Sequence, residues 1–170
     1  MNFKLIGAVF IICGCGLIGF KTSALYRAEE YDLRQLISAL DYMVCELSYR
    51  RSALPDLCCL IGKERNGRIG KLFENLSKEL SAQTSPDVQS CLASAAAASG
   101  SLSKKVQQAI CIMGSSLGRF DLEGQLQGLE AVRIYCREQL DELTKDRDVR
   151  LRSYQTLGLC AGAALAILFV

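Results

Sequence analysis

Hydrophobic residues follow two different patterns along the chain: they are continuous at both ends and periodic in between. Residues 5–20 (LIGAVFIICGCGLIGF) carry no charge over sixteen positions, and residues 153–170 (SYQTLGLCAGAALAILFV) carry none over eighteen. In the central region, apolar residues recur every three or four positions, which is the spacing of amphipathic helices. The pattern therefore predicts a polar helical region that is flanked by two apolar segments.

The first part of the periodic region predicts three helices joined by short breaks. Apolar residues from Tyr26 to Arg51 indicate the first helix. Leu54-Pro55-Asp56 marks a break, with the proline suited to the first turn of a second helix over about Pro55–Lys63. A turn at Arg65–Arg68 then precedes a third helix, whose apolar residues extend from Ile69 to Leu80.

Capping residues indicate three further helices. Ser85-Pro86-Asp87 predicts the start of a fourth helix that ends at Gly100. Ser85 is the predicted N-cap, Pro86 suits the first turn, and the negative charge of Asp87 is favourable near the positive end of the helix dipole. A fifth and a sixth helix follow; their predicted caps are Ser101 or Ser103 and Asp121, and Gly118 ends the fifth. No segment alternates with the period of two that is typical of strands. We therefore predict an all-α fold, an antiparallel helical bundle flanked by N- and C-terminal transmembrane helices.

The two apolar segments are the predicted membrane spans. Sixteen helical residues extend about 24 Å, slightly less than the roughly 30 Å of a hydrocarbon core, and Lys4 and Lys21 flank the first segment. The chain is accordingly divided into a transmembrane helix (1–22), a helical bundle similar to platform proteins (23–152) and a second transmembrane helix (153–170). For the second segment, a buried core helix is the alternative.

The first apolar segment leaves two other interpretations open. A cleaved signal peptide requires a cleavage site of small residues, whereas the apolar run continues unbroken to Phe20. The string Ile12-Cys13-Gly14-Cys15 resembles the pattern at which a lipid is attached to lipoproteins. It leads to an alternative function, an extracytoplasmic helical binding module anchored by a lipid on Cys15.

Basic residues indicate the orientation of the predicted spans. They lie on the inner side of both apolar segments, at Lys21, Arg27, Lys145, Arg147, Arg150 and Arg152. Lysine and arginine close to a span remain in the cytoplasm. We therefore expect the central region to be cytoplasmic, with both chain termini on the far side of the same membrane.

Composition excludes several classes of function. The net charge of +2 is nearly balanced, so no strongly basic footprint for nucleic acid is present. The chain contains no histidine, which excludes Ser-His-Asp and Cys-His catalysis and histidine-containing zinc sites. Glycines do not have the spacing of a Walker loop. The sequence therefore predicts neither an enzyme nor a metal or cofactor site.

Nine cysteines are the most unusual feature of the composition. Their spacing is irregular and no C-x-x-C occurs, so a zinc ribbon or a thioredoxin-like motif is not indicated. Several single cysteines occupy apolar positions of the predicted helices. We interpret them as small, reduced core residues, which agrees with a cytoplasmic location.

The string LGRFDLEGQ, residues 117–125, is the most distinctive local motif. It predicts a helix end, a tight turn and the capped start of the next helix. The simplest role of Asp121 is N-capping, and that of Gln125 is to fix the turn. The alternative is that the turn binds a partner.

The motif resembles the Leu-Gly-x-x-Asp-x-x-x-Gln signature of the stage III sporulation protein AB family of endospore-forming bacteria. The matching residues are Leu117, Gly118, Asp121 and Gln125. Three further features share the family order: the Leu54-Pro55 break, the segment from Ile69 to Phe73, and Tyr154, Leu157 and Gly158 at the second apolar segment. The alanines at Ala95–Ala98 depart from it, because the family leads us to expect an aromatic residue nearby.

The resemblance implies a protein of the mother-cell membrane facing the forespore. Its helical domain is expected to be similar to the cytoplasmic domains of inner-membrane platform proteins of type II secretion and type IV pilus systems. The implied partners are a secretion-type ATPase and ring- or channel-forming sporulation proteins, with homo-oligomerisation left open. The implied function is a non-enzymatic platform of a channel between mother cell and forespore. A small accessory subunit of a membrane enzyme is a third interpretation of the same sequence.

Overall fold

The structure is a computed structural model of the 170-residue chain. It describes the backbone of residues 2–50, 52–82, 87–118, 121–145, 156 and 160, and the side chains of the same ranges from residue 23 onwards. The helices are α1 (Asn2–Tyr49), α2 (Leu54–Glu64), α3 (Gly67–Ala82), α4 (Val88–Ala98), α5 (Lys104–Ser116) and α6 (Leu122–Lys145). The prediction of an all-α, bundle-like fold is confirmed, since these described ranges contain six helices and no strand.

The chain divides into two compact units. One, called the helical unit below, consists of Glu29–Asp141; the other consists of Met1–Ala28 and Glu142–Val170. The helical unit contains α2 to α5 entirely, together with the adjoining parts of α1 and α6. The predicted domain limits at residues 22 and 152 stay a prediction.

The predicted membrane spans fall mostly where side chains are not described. In the part of the chain that the structure describes, no helix combines the length and the apolar character needed to cross a bilayer. The side chains of residues 5–20 lie outside the described residues, and so do residues 153–170 apart from Thr156 and Cys160.

Helix ends in the helical unit agree closely with the sequence pattern. Pro55 lies in the first turn of α2. Of the two predicted caps of α5, Ser103 is the one that caps it: its Oγ accepts a hydrogen bond from the Val106 N–H at 3.3 Å. Asp87, predicted inside the first turn of α4, is instead the N-cap residue, and the predicted cap Ser85 lies outside the described residues.

The core is built from one face of each helix. On α1, Leu33, Leu36, Leu40 and Met43 are fully buried, at the alternating three- and four-residue spacing of a helix face. Phe73 of α3 is the largest fully buried side chain among the described residues. Full burial of an aliphatic or aromatic side chain contributes about 1.5–3 kcal/mol. These faces therefore provide most of the driving force for packing the helical unit.

Hydrogen bonds join α2 to α3, α3 to α4 and α5 to α6 at positions that fit an antiparallel arrangement of these pairs. Ser77 near the end of α3 donates to the Pro55 carbonyl at the start of α2 (2.9 Å). Asn75 Nδ2 donates to Ser99 Oγ at the end of α4 (3.4 Å). Tyr135 of α6 donates to Gln108 Oε1 of α5 (3.1 Å).

The first and last helices are also antiparallel neighbours within the helical unit. Arg133 of α6 donates to Asp41 Oδ1 of α1 at 3.0 Å, and Arg137 lies 3.7 Å from the same oxygen. Both arginines are at least partly exposed to solvent, so each ion pair contributes at most about 1 kcal/mol. The pairs define the register of α1 against α6 more than they stabilise it.

Cysteines take both buried and exposed positions. Cys58, Cys91 and Cys136 are buried, which confirms the interpretation as core residues for these three. Burial raises the pKa of both Cys58 and Cys136 to about 12. For Cys45 and Cys111 the interpretation is wrong, since both side chains are exposed to solvent.

A buried ion pair connects α1 to the start of α3. Asp32 is only 2% exposed, and its Oδ2 lies 2.6 Å from Arg68 Nη2. The approach is short, but the N–H is not directed at this oxygen as in a well-aligned hydrogen bond. Arg68 Nη1 donates to the Ser101 carbonyl at 2.6 Å. One guanidinium thus joins α1, α3 and the loop before α5.

Burial raises the pKa of Asp32 above 3.8, and the nearby Arg68 opposes this rise. A carboxylate with a higher pKa in the folded than in the unfolded state binds protons more readily when folded. This group therefore increases the free energy of unfolding as the pH falls through its folded-state pKa towards 3.8, and decreases it as the pH rises again.

We predict that Arg68→Ala is much more destabilising than Asp32→Asn. The first variant leaves a buried carboxylate without a cation and should cost about 2 kcal/mol or more at neutral pH, whereas the second removes the charge and should cost less than about 1 kcal/mol. The loss in Arg68→Ala should shrink as the pH falls and Asp32 becomes protonated. Urea unfolding of both variants over acidic and neutral pH measures this; equal losses at every pH would contradict it.

Candidate functional site

The signature motif forms the turn between α5 and α6. Leu117 is fully buried, and its N–H donates to the Met113 carbonyl at 3.0 Å to close the last turn of α5. Gly118 follows with a φ of +77°, in the left-handed region that favours glycine. The motif thus begins with a leucine that is anchored in the core, and the chain reverses its direction directly after it.

Gly118 is required for a second reason, its closeness to α4. A Cβ atom on Gly118 would lie 2.6 Å from Cγ2 of Val88, in the first turn of α4. Backbone conformation and space therefore both demand glycine at this position. The contact holds the α5–α6 turn against the beginning of α4.

Asp121 ends the turn by capping α6. Its Oδ1 accepts a hydrogen bond from the Gly124 N–H at 3.1 Å, and its carbonyl accepts one from the Gln125 N–H at 3.0 Å. The side chain is exposed, so it remains accessible while it caps the helix. Residues 119 and 120 of the motif lie outside the described residues.

A groove of about 520 Å³ lies beside this turn. It is lined by residues of α1, the α1–α2 connection, α2, the turn and α6: Leu47, Ser52, Leu54, Gly118, Leu122 and Gln125. We call this the signature groove. Of the four predicted site residues, the structure brings Gly118 and Gln125 to its wall, while Leu117 lies in the core and Asp121 caps α6.

The α1–α2 connection is held beside the groove by a nearly buried carboxylate. Glu46 is 8% exposed, and its Oε2 accepts a hydrogen bond from Ser52 Oγ at 3.2 Å. Its Oε1 lies 3.5 Å from Arg50 Nη1. Both oxygens of Glu46 are thus engaged, and the wall that Ser52 contributes is fixed in place.

Three leucines of the groove were not predicted as site residues. Leu47 and Leu122 read from the sequence as ordinary members of apolar helix faces, and Leu54 as part of a break. The only sequence signal for their role is the Leu54-Pro55 break, which the family order shares with the signature motif. Nothing in the sequence indicates that the break and the motif meet.

A second groove lies between α1 and α6, next to the signature groove along these two helices. It has a volume of about 460 Å³ and is lined by Val44, Ser48, Leu126, Gln127, Glu130, Ala131 and Ile134. Ile134 is 50% exposed, which is unusual for a large apolar side chain. The face shared by α1 and α6 is therefore less completely filled than the core beneath it.

The alanine-rich segment of α4 lies beside a smaller hollow. Ala93 and Ala96 line a cavity of about 160 Å³ together with residues of α4 and α5, among them Ile110 and Cys111. The hollow is partly open to solvent and is also lined by Gln89 and Gln107, so it is a surface depression beside the alanines.

The acidic side chains discussed above have structural partners. No group of three or more His, Cys, Asp or Glu side chains converges in them as a metal site would require. Asp32, Glu46 and Asp121 each already neutralise a cation or satisfy a backbone or hydroxyl donor. The arrangement is suited to binding an apolar side chain with a polar edge.

Comparisons with known proteins agree on one family. A family model described as stage III sporulation protein AB matches residues 4–170. Stage III sporulation protein AB of Bacillus subtilis (strain 168) is 31% identical over 77 residues, which are 45% of this chain and 45% of that protein. The matched stretch thus spans less than half of the relative's length.

A solved structure is also similar. It is a stage III sporulation protein AB (SpoIIIAB) with a TM-score of 0.64 at 18% identity, over 72% of this chain and 98% of that chain. At this identity the likeness concerns the fold.

We predict that Asp121→Ala lowers the free energy of unfolding by about 1 kcal/mol because α6 loses its cap, whereas Asp121→Asn retains an acceptor and changes it by less than half of that. Urea unfolding of the two variants tests this. A loss as large in Asp121→Asn as in Asp121→Ala would show that the negative charge, and not the cap, is what matters.

Proposed function

Since the chain belongs to the stage III sporulation protein AB family, we propose that it is a non-enzymatic membrane scaffold whose helical unit binds partner proteins through the signature groove. The observation that carries this proposal is that the family signature and the Leu54-Pro55 break, far apart in sequence, line one groove. If the signature motif served only to end α5 and begin α6, the Leu54-Pro55 break would not need to lie beside it.

The composition of the groove favours a protein partner. Leu47, Leu54 and Leu122 provide an apolar floor, while Ser52 and Gln125 add polar groups at its wall. Interfaces typically bury a few apolar or aromatic anchors in such pockets and surround them with polar contacts. The groove is therefore proposed to receive one large apolar side chain of a partner.

A scaffold needs surfaces and no catalytic group. The acidic side chains nearest the groove are occupied in capping α6 or in holding the α1–α2 connection. The chain contains no histidine that could act as a general base near neutral pH. These features support a binding role for the groove.

Membrane attachment is proposed from the sequence. Residues 5–20 are uncharged and belong to α1, and residues 153–170 are uncharged as well. The basic residues that follow the first segment and precede the second support a cytoplasmic helical unit. In the family context, the protein is proposed to lie in the mother-cell membrane that faces the forespore.

The proposed partners are a secretion-type ATPase and ring- or channel-forming sporulation proteins. This part rests on the resemblance of the family to platform proteins of secretion systems. In such an assembly the helical unit would couple a cytoplasmic motor to a channel between the two cells. Copies of this chain are further candidates as partners.

A charged residue in the groove should disrupt partner binding. We predict that Leu122→Lys reduces the amount of co-purifying partner at least about tenfold, because a lysine replaces an apolar contact in the lining of the groove. Leu60→Lys, on an exposed α2 position outside the groove, is the matched control and should retain its partners.

The measurement is capture of the full-length chain from detergent-solubilised membranes of sporulating cells, at equal protein levels, with partners quantified by mass spectrometry. Undiminished partners in Leu122→Lys would contradict the proposed role of the groove. Selective loss in Leu60→Lys would instead assign partner binding to the outer face of α2.

Thiol labelling tests the proposed orientation, and the structure identifies suitable reporters. Cys58 and Cys91 are buried and should remain protected in the folded protein even after cells are lysed, so they are not suitable reporters. Cys45 and Cys111 are exposed. We predict that a membrane-impermeant maleimide leaves both unlabelled in intact cells and labels both after lysis.

Cys58 and Cys136 should react only after denaturation, since each is buried and has a pKa raised to about 12. Site-resolved mass spectrometry distinguishes these cysteines, and Cys45→Ser and Cys111→Ser identify the labelled positions. Labelling of Cys45 or Cys111 in intact cells would place the helical unit outside the cytoplasm.

A further inference from the structure

The two grooves of the helical unit follow one another along the same pair of helices. The signature groove is lined by Leu47 of α1 and Leu122 of α6, and the second groove by Val44 of α1 and Leu126 of α6. Leu47 and Val44 are one helical turn apart, and so are Leu122 and Leu126. Because α1 and α6 are antiparallel, the two grooves form one shallow surface, which we call the α1–α6 trough.

The α1–α6 trough has two defined ends. The α5–α6 turn lies at one end, where Gly118 lines the signature groove. Towards the other end Arg133 bridges the two helices by its 3.0 Å contact with Asp41, and Ile134 is the last lining residue on α6. Leu122 and Ile134 are twelve positions apart in α6, which corresponds to about 18 Å. A helix of about three turns has this length.

The lining of the trough matches an uncharged, apolar face. Leucine, valine and isoleucine side chains line it, and Ile134 is half-exposed to solvent. Among the described lining residues Glu130 alone carries a charge, and its Oε1 lies 2.6 Å from Arg133 Nη2. Arg133 also pairs with Asp41, so these charges already compensate one another. A charged group on the buried face of an occupant would therefore lose its hydration without gaining a counter-ion from this lining.

The walls of the trough suit an occupant that is apolar on one side and polar on the other. Ser48 of α1 and Ala131 of α6 are small and exposed, so they admit a helix close to the apolar floor. Gln127 is exposed beside them and offers an amide to polar groups at the edge of the occupant. The side of the occupant that is turned away from the trough faces water and should be polar.

Backbone hydrogen bonding favours a helical over an extended occupant. Both walls of the trough are helices, whose main-chain groups bond within each helix, and the described residues contain no strand edge. An extended segment would leave main-chain N–H and C=O groups unpaired where it covers the apolar floor. A helix satisfies these groups internally, and the groove between two helices is where a third helix packs.

A second copy of the chain does not present a matching helix among the described residues. Its large apolar side chains with substantial exposure are Leu25, Tyr31, Tyr49, Leu60 and Ile134. No two of them lie on the same face of one helix within three turns. The occupant is therefore sought in a different protein.

We propose that the α1–α6 trough binds one amphipathic helix of a different protein, about three turns long, with apolar side chains three or four positions apart. The inference rests on the proposed binding role of the signature groove and adds the second groove to the same site. One apolar anchor of the helix enters the signature groove, and another contacts Ile134.

Ile134→Lys tests whether the second groove belongs to the binding site. It reduces the partner that Leu122→Lys loses by about tenfold or more, because each lysine replaces an apolar contact with the same helix. Leu60→Lys is the matched control, since Leu60 is 44% exposed and Ile134 is 50% exposed. The measurement is the capture from solubilised membranes of sporulating cells described above, with urea unfolding of each variant. If Ile134→Lys is destabilised, Ala131→Lys on the exposed wall takes its place.

Photo-crosslinking distinguishes a helix from other occupants. The photoreactive residue p-benzoylphenylalanine is placed at Gln125 in one variant and at Ile134 in another, nine positions apart in α6 or about 13 Å. Both probes cross-link to one segment of the same partner. Mass spectrometry of the cross-linked peptides places the two sites about nine residues apart if the segment is helical, and about four residues apart if it is extended.

The remaining outcomes are also decisive. Partner loss in Leu122→Lys with retention in Ile134→Lys overturns the inference and leaves the proposed function intact. Retention in both variants refutes the proposed function, and the inference with it. Cross-links about four residues apart, in two different proteins, or from Gln125 alone overturn the single docked helix. Cross-links to a second copy of this chain overturn the choice of a different protein as the occupant.

Discussion

The burial of Asp32 is the constraint on which the arrangement of the helical unit depends. A carboxylate that is 2% exposed must be compensated, and the guanidinium of Arg68 is the cation placed beside it. This requirement fixes where α3 begins along α1. Because Arg68 also binds the Ser101 carbonyl, the same side chain fixes the loop before α5. One guanidinium thus contributes to the relative heights of α1, α3 and the start of α5.

Close approach of neighbouring helices at glycines also shapes the helical unit. A Cβ on Gly62 of α2 would lie 2.8 Å from the Glu74 nitrogen of α3, and one on Gly128 of α6 would overlap Ser116 of α5. Gly118 meets Val88 of α4 in the same way. Small residues therefore bring α2 against α3 and α6 against α5, and the signature groove is the space left where the last pair meets α1 and α2.

Sequence patterns predicted what depends on neighbours in the chain. Helix spacing predicted the buried face of α1, and local hydrogen-bonding rules predicted Asp121 as a cap and left Ser101 and Ser103 as alternatives, of which Ser103 caps α5. The pairing of Asp32 with Arg68 and the meeting of Leu47, Leu54 and Leu122 depend on which helices touch, which periodicity does not specify. Cys45 and Cys111 were misjudged because free cysteine is usually buried, and this general preference does not show which face of a helix meets its neighbours.

The contact of Gly128 with Ser116 gives the signature motif a meaning beyond the identity of its residues. One residue inserted within α6 before Gly128 would rotate the rest of that helix by about 100° and carry Leu129, Val132 and Cys136 away from the core. The number of residues from the cap Asp121 to Gly128 therefore acts as a ruler that sets which face of α6 is buried.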